Sequence, residues 1–246
     1  FLSRFGPHLH FLINDAGIGH PSTIDKDGYE LVFEVDYLGH FLLTELLLPA
    51  LRNGSPSRVV NVASGAHENA CEAAGWPEGC FKDWTYLPPP MVPRRPVIVH
   101  YRSGATLVNS SSYGVAKFLQ IQHAAELARR ERHSGVQAFS LTPGFALTSM
   151  TAGSNSSSTK AFCEQQVNPD PSLPPNPCPF SAEQGAAVIA FCATGSAKSS
   201  GAYYSRTFAC EERPVIAHGF TEPMQQELYS RALEWVGQES GPSVVV

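Results

Sequence analysis

The sequence predicts an α/β fold: a parallel sheet with helices on both faces. Short, continuously apolar runs alternate with long segments of helical periodicity, and glycine, proline and asparagine punctuate the boundaries. No internal repeat interrupts that order. With 246 residues, 43% of them hydrophobic, the chain can bury one sizeable core. Residues 1–246 are expected to form a single domain carrying irregular inserts at about 66–110 and 151–180.

Leu9 to Asn14 (LHFLIN) has the continuous hydrophobicity of a strand buried on both faces, and Asp15-Ala16-Gly17 ends it. After the Asp27-Gly28 break, Tyr29 to Leu51 reads as one unbroken helix. Its apolar positions Leu31, Val35, Leu38, Leu42 and Leu46 recur in steps of three and four. Asn53-Gly54-Ser55-Pro56 stops it, and Arg58 to Ala63 (RVVNVA) is a second buried strand. Prolines 88, 89, 90, 93 and 96 forbid a helix in the insert that follows. Ser112 is the expected cap of a helix running to about Arg132 and ending near Gly135. Val136 to Thr142 (VQAFSLT) is a third strand, closed by Pro143-Gly144. Beyond a Ser/Pro-rich stretch come a helix over Ala182–Ala193, a short strand over Gly201–Ser205 and a last helix over Glu222–Val236.

Composition excludes several function classes. Lys plus Arg number 17 against 22 Asp plus Glu, which argues against a nucleic-acid platform or a polybasic membrane surface. The greasiest run, Phe41 to Leu51, is broken by Glu45 and Pro49, so no membrane-spanning segment is expected in this chain. The six cysteines contain no C-x-x-C pair. They are therefore expected to be free thiols, neither metal ligands nor a disulfide framework, in a reducing compartment, whether cytoplasm or organelle.

The candidate chemistry lies at the strand ends and one helix. Tyr113 and Lys117, at i and i+4, share a helical face. A free phenol ionises near pH ~10, and a neighbouring ammonium favours its ionised form. Such a Tyr can pass a proton to or from an alcohol oxygen near neutrality. Taken alone, a Tyr-x-x-x-Lys pair is most often a solvated helix face. Ser64 ends the second buried strand, where ligands of open α/β sheets sit, although a turn cap is the bland alternative. Asn14-Asp15-Ala16-Gly17 and Pro143-Gly144-Phe145-Ala146-Leu147-Thr148 follow two further strands with small or polar groups. His67, three residues after Ser64, is expected to be a surface loop histidine. Trp76, Trp84 and Tyr86 in the first insert are candidates to cover an apolar substrate or to pack on the body. Asn109 and Asn155 match glycosylation acceptors of a kind that Ser-rich loops generate by chance.

Taken in order, these segments resemble the short-chain dehydrogenase/reductase family, in its retinol-dehydrogenase-like and WW-domain-oxidoreductase-like branch. The resemblance rests on Asp27-Gly28-Tyr29-Glu30, Val35 to Leu43 (VDYLGHFLL), Ser57 to Ser64 (SRVVNVAS), Tyr113 to Lys117 and Pro143-Gly144. Glu183-Gln184-Gly185-Ala186 and Ser200 to Tyr204 (SGAYY) extend it. It implies a Rossmann-like, doubly wound, three-layer αβα fold. It also implies hydride transfer between a nicotinamide cofactor, NADP(H) or NAD(H) with a slight preference for NADP(H), and a small apolar alcohol or carbonyl substrate. By resemblance Tyr113 is the acid/base and Lys117 holds the nicotinamide ribose and lowers the Tyr113 pKa. Ser64 orients the carbonyl, and Asp36 stands where the family has a catalytic Asn. Asn14, Ala16, Gly17, Pro143, Gly144 and Thr148 join Tyr113 and Lys117 in bordering the cofactor. A homodimer through the helices at 29–51 and 113–132 is open, as is a photosynthetic substrate, since protochlorophyllide-reductase-like relatives also carry a long insert before the Tyr.

The chain departs from that family in three ways. The first strand and glycine-rich turn that bind the pyrophosphate are not found before residue 9, so the chain is expected to be N-terminally truncated by about 60 residues, or two βα units. That leaves Leu9–Asn14 as a greasy edge, and poor solubility and weak dinucleotide binding are expected of the chain alone. Gly17-Ile18-Gly19 with Asp36 roughly 20 residues on could mimic the missing fingerprint, but Asp36 would then have to end a strand. Asp36 in place of Asn offsets the Lys117 charge, which predicts a slow enzyme with an alkaline optimum. Asp15 replaces an amide that ties strands together, which predicts a buried acceptor without its donor. The alternative function is a catalytically impaired family member that binds or scaffolds.

Overall fold

The structure, a computed structural model, describes residues 2–19, 29–70, 110–150, 180–195, 198–204, 210–215 and 220–237. The proline-rich stretch with Trp76, Trp84 and Tyr86, residues 151–179, Asn109 and Asn155 lie outside these. Seven strands are described: β1 (Phe11–Asn14), β2 (Ser57–Val62), β3 (Val136–Leu141), β4 (Ala146–Leu147), β5 (Phe180–Ser181), β6 (Tyr203–Tyr204) and β7 (Glu212–Arg213). The helices are α1 (Leu2–Phe5), α2 (Leu31–Phe33), α3 (Gly39–Asn53), α4 (Ser110–Arg130), α5 (Ala182–Thr194) and α6 (Glu222–Trp235).

The main sheet runs β1-β2-β3-β6-β7. β1 pairs with β2 (Phe11 opposite Arg58), β2 with β3 (Ser57 opposite Val136) and β3 with β6 (Ser140 opposite Tyr203), all parallel. Alternation within the strands then builds three layers. Leu12, Val59 and Ala138 point to one face, where Phe41, Leu51, Phe118, Leu119, Leu228 and Tyr229 of α3, α4 and α6 cover them. Val60, Val62, Phe139 and Leu141 point to the other face, under Val188, Ile189 and Cys192 of α5. The fold is thus the doubly wound, three-layer αβα arrangement that the alternation predicts. A capping box starts α5: Ser181 accepts from Gln184 N, and Gln184 accepts from Ser181 N. At its other end Arg58 donates to the carbonyls of Ala193 and Gly195, at 2.7 and 2.9 Å.

Several expectations are corrected. β1 lies at the edge of the described sheet, as the departure from the family predicts, but it is buried on one face and not on both, with Phe11 45% and Ile13 40% exposed. The helix expected over Tyr29–Leu51 is not uniform: α2 and α3 are joined by a π-helical segment, Glu34–Leu38. Ser112 lies inside α4, which starts at Ser110. The first insert opens with a 3-10 turn over Gly65–Asn69. β7 runs antiparallel to β6, so the main sheet is not purely parallel, and β4 pairs with β5, in parallel, outside it. Cys192 and Cys210, both buried, form a disulfide. The free-thiol reading fails for that pair, and the reducing compartment inferred from it loses its support. No helix among the described residues is long and apolar enough to cross a membrane.

Candidate active site

At the end of β2 the chain leaves the sheet through Ala63 and Ser64, while Ala63 N–H still donates to Leu141 O of β3 at 2.7 Å. Ser64 is extended and caps the 3-10 turn, its Oγ accepting from Ala66 N at 3.2 Å. Helix α4 packs directly on this turn. At Gly114 an added Cβ would lie 2.9 Å from Ala66 O and 3.5 Å from Ala70 Cα, so only hydrogen fits. That close approach sets Tyr113 beside Ser64, whose hydroxyl partly offsets the rise that burial brings to the Tyr113 pKa.

One helical turn on, Lys117 Nζ lies 5.4 Å from the Tyr113 ring centroid. It donates to Val62 O at 3.1 Å and pairs with Asp36 Oδ2 at 3.1 Å, with both side chains buried. Asp36 stands in the π-helical segment, a distortion that recurs at functional sites. Its other oxygen, Oδ1, accepts from Ile18 N at 2.8 Å. The loop after β1 presses on the pair: a Cβ on Gly17 would sit 3.0 Å from Asp36 Oδ2 and 3.4 Å from Lys117 Nζ. Four elements therefore converge on one spot at the carboxyl edge of the sheet.

Beneath it lies a buried polar layer. Asn14 Nδ2 donates to Thr44 Oγ1 at 3.1 Å and Asn61 Oδ1 at 2.9 Å, joining β1 to α3 and β2. Asn61 donates to Gln120 O at 2.9 Å, and Gln120 Nε2 bonds His40 Nδ1 at 2.8 Å. Burial, helped by the Lys117 charge, lowers the His40 pKa to about 4, so at neutral pH its Nδ1 accepts from the Gln120 amide.

The electrostatics correct the central expectation. Burial pushes the Tyr113 phenol up to about 12; the Ser64 hydroxyl opposes this, and the charges of Asp36 and Asp15 add to it. The Lys117 charge faces the Asp36 carboxylate 3.1 Å away, which offsets its pull on the phenol, as the exchange of Asn for Asp predicts. Burial likewise raises the Asp36 pKa and lowers that of Lys117, each drawn back by the attraction of its partner.

The site therefore unites Ser64, Tyr113, Lys117, Asp36 and Gly17. Asn14 lies below it, 2% exposed and engaged with protein groups, in place of a position along a ligand. Ala16 and Thr148 are exposed, and Pro143 and Gly144 are half-buried after β3, next to the end of β2. The loops after β1 and β3 meet, since a Cβ on Gly19 would lie 3.6 Å from Met150 Cγ. Asp15 is exposed, and the amide that ties β1 to β2 is that of Asn14. Asp36 is helical and paired with Lys117, which disposes of the fingerprint alternative. His67 is fully buried, contrary to the surface reading. Sequence reasoning also missed His40 and Gln120, although His40 stands one helical step from Asp36.

A family model described as short chain dehydrogenase matches residues 2–75. An uncharacterized oxidoreductase of Schizosaccharomyces pombe is 31% identical over 232 residues, covering 90% of this chain and 59% of its own length. Human retinol dehydrogenase 11 is 36% identical over 139 residues, 56% of this chain and 36% of that protein. The chain thus spans between about a third and three-fifths of these relatives. Among solved structures, the 3-alpha-hydroxysteroid dehydrogenase from Pseudomonas sp. B-0831, complexed with NADH, superposes with a TM-score of 0.56 at 22% identity. The superposition covers 83% of this chain and 73% of that one, a likeness of fold.

Proposed function

Because the chain belongs to the short-chain dehydrogenase/reductase family, we propose that it transfers hydride between a nicotinamide dinucleotide and an apolar alcohol/carbonyl pair of retinol-like character. The observation that carries this reading is the placement of Tyr113 beside the Ser64 turn, through the close approach of Gly114 to Ala66, with Lys117 Nζ 5.4 Å from the Tyr113 ring at the carboxyl edge of the sheet. The names of the relatives support the substrate class, and resemblance favours NADP(H).

The residues present fit the nicotinamide-ribose end of such a cofactor. Lys117 has three N–H donors, and with two committed to Val62 O and Asp36 one is left for a ribose hydroxyl. Gly17 keeps the loop backbone close to that donor. When bound, the cofactor supplies or accepts the hydride. Ser64 takes Ala66 N–H on its Oγ and keeps its own O–H to give, so a carbonyl oxygen lodged between Ser64 and Tyr113 would meet two donors. Tyr113 keeps its proton at neutral pH, and its ready step is to give that proton to the oxygen that gains charge. Reduction of a carbonyl is therefore favoured at neutral pH, and oxidation of an alcohol gains as the phenol ionises in alkali.

The test is turnover of the purified chain with retinal or retinol and millimolar NADP(H) or NAD(H), from neutral to alkaline pH. The reading expects reduction at neutrality and oxidation that climbs with pH. A folded chain without turnover in either direction contradicts it. That outcome favours a second reading, a binding protein on the same fold, for which the commitment of the Lys117 charge to Asp36 speaks.

A further inference from the structure

His67 is unused by the chemistry above, yet it is fully buried within hydrogen-bond reach of it. Its backbone N donates to Ser64 O at 3.1 Å, and its ring Nδ1 contacts the same oxygen at 2.8 Å. A carbonyl only accepts, so Nδ1 carries the proton. One residue thus grips the Ser64 carbonyl twice. The ring stands edge-on to Tyr203 of β6, with centroids 4.9 Å apart and planes at 72°. Burial raises the Tyr203 pKa, and the Thr142 side chain near its hydroxyl opposes that rise. Thr142 N donates to Tyr204 O at 2.9 Å, and Thr142 Oγ1 accepts from Gly144 N at 3.4 Å.

We propose that His67 is a positioning residue for Ser64, and that His67, Tyr203 and Thr142 form a brace holding the Ser64 hydroxyl at a fixed distance from the Pro143–Gly144 turn. The mechanical reason is local. Ser64 opens a 3-10 turn of five residues, too short to fix its own first residue. The side-chain hydrogen bond from His67 supplies a second tie to the one carbonyl whose orientation sets where Oγ points. Tyr203 lies on β6, hydrogen-bonded to β3, so the tie is anchored in the sheet. The inference deepens the proposed redox reading and rests on it for its kinetic arm alone.

The experiment compares His67→Asn, whose amide can place a donor where Nδ1–H stood, with His67→Phe, which keeps a flat ring against Tyr203 and loses the donor. His67→Leu is a second donor-free variant, so the comparison survives a folding defect in the Phe chain. The readouts are the NMR shift of the Tyr113 oxygen-bearing ring carbon in chains with isotope-labelled tyrosine, its signal assigned by loss in Tyr113→Phe, and kcat against KM. Expected is a displaced Tyr113 signal in the donor-free variants, with kcat down about fivefold, as for one neutral hydrogen bond, and the KM for dinucleotide unchanged. His67→Asn restores both. A Tyr113 signal unmoved in His67→Phe and His67→Leu, or moved as far in His67→Asn, overturns the brace. If the unsubstituted chain has no turnover, the redox reading fails, and the NMR comparison still decides whether His67 holds Ser64 to Tyr113.

Discussion

Asp36→Asn is the substitution that most sharply separates electrostatics from likeness. It replaces a buried carboxylate with an amide of the same shape, whose oxygen can still accept from Ile18 N and stay near Lys117. The carboxylate lies 3.1 Å from Lys117 Nζ, which is 5.4 Å from the Tyr113 ring centroid. The negative charge is therefore within about 9 Å of the ring, and at an effective dielectric of ~20 its removal is worth about 2 kcal/mol at most. Allowing for solvent screening, that corresponds to about one pKa unit on Tyr113, or roughly tenfold more phenolate at a given alkaline pH. The sign is downward, because Asp36 is among the groups that raise the Tyr113 pKa. The assay is the pH profile of kcat/KM for retinol oxidation. The rising limb is predicted to move about one unit toward neutrality. Stability is predicted to fall by about 3 kcal/mol in urea, since Lys117 loses its buried counter-charge. A limb that stays in place, or moves toward higher pH, refutes the claim that Asp36 holds the phenol in its protonated form.

Gly114→Ala places a methyl 2.9 Å from Ala66 O and is predicted to push α4 off the Ser64 turn; turnover should fall by at least tenfold while circular dichroism still reports a folded chain. Reduction of Cys192–Cys210, or Cys210→Ser, opens a loop of 18 residues and should cost about 3 kcal/mol, read as a Tm lower in reducing than in non-reducing buffer for the unsubstituted chain, and lowered in both for the variant. Glu131 is buried, which by itself opposes ionisation, but two hydrogen bonds from the Arg52 guanidinium, with its charge, win and hold its pKa below the usual carboxylate value. Its contribution is thus present above the unfolded pKa and lost as pH falls through the folded one. Glu131→Gln should cost about 1 kcal/mol at neutral pH, with the difference from the unsubstituted chain closing in acid.

The strands and helices were legible wherever burial leaves a periodic trace. Val59, Val60, Phe139 and Leu141 are enclosed on both faces, and their unbroken apolar runs announce it. β1 has a similar composition, but its place at the sheet edge depends on what flanks it, which local pattern does not encode. The π-helical segment escaped because an inserted residue shifts the register without removing apolar positions; what holds Asp36 inward is Lys117, 81 positions away in the chain. Ser64, Tyr113 and Lys117 were legible because strand end and helix spacing place them together. His67 was misread as a surface residue because a polar side chain carries no sign of burial until its partner, here the Ser64 carbonyl, is in view. The Cys192–Cys210 pair was missed for the same reason: cysteine spacing carries no record of Cα atoms 5.5 Å apart.

The most direct test of the redox account is Tyr113→Phe, with dinucleotide binding and turnover measured side by side. The phenyl ring preserves the packing beside Lys117 and removes only the proton that Tyr113 carries. Turnover should fall by at least a hundredfold, in the range of a lost general acid, while affinity for the dinucleotide stays within about twofold. Turnover equal to that of the unsubstituted chain would show that the proton comes from elsewhere and would contradict the assignment of this site.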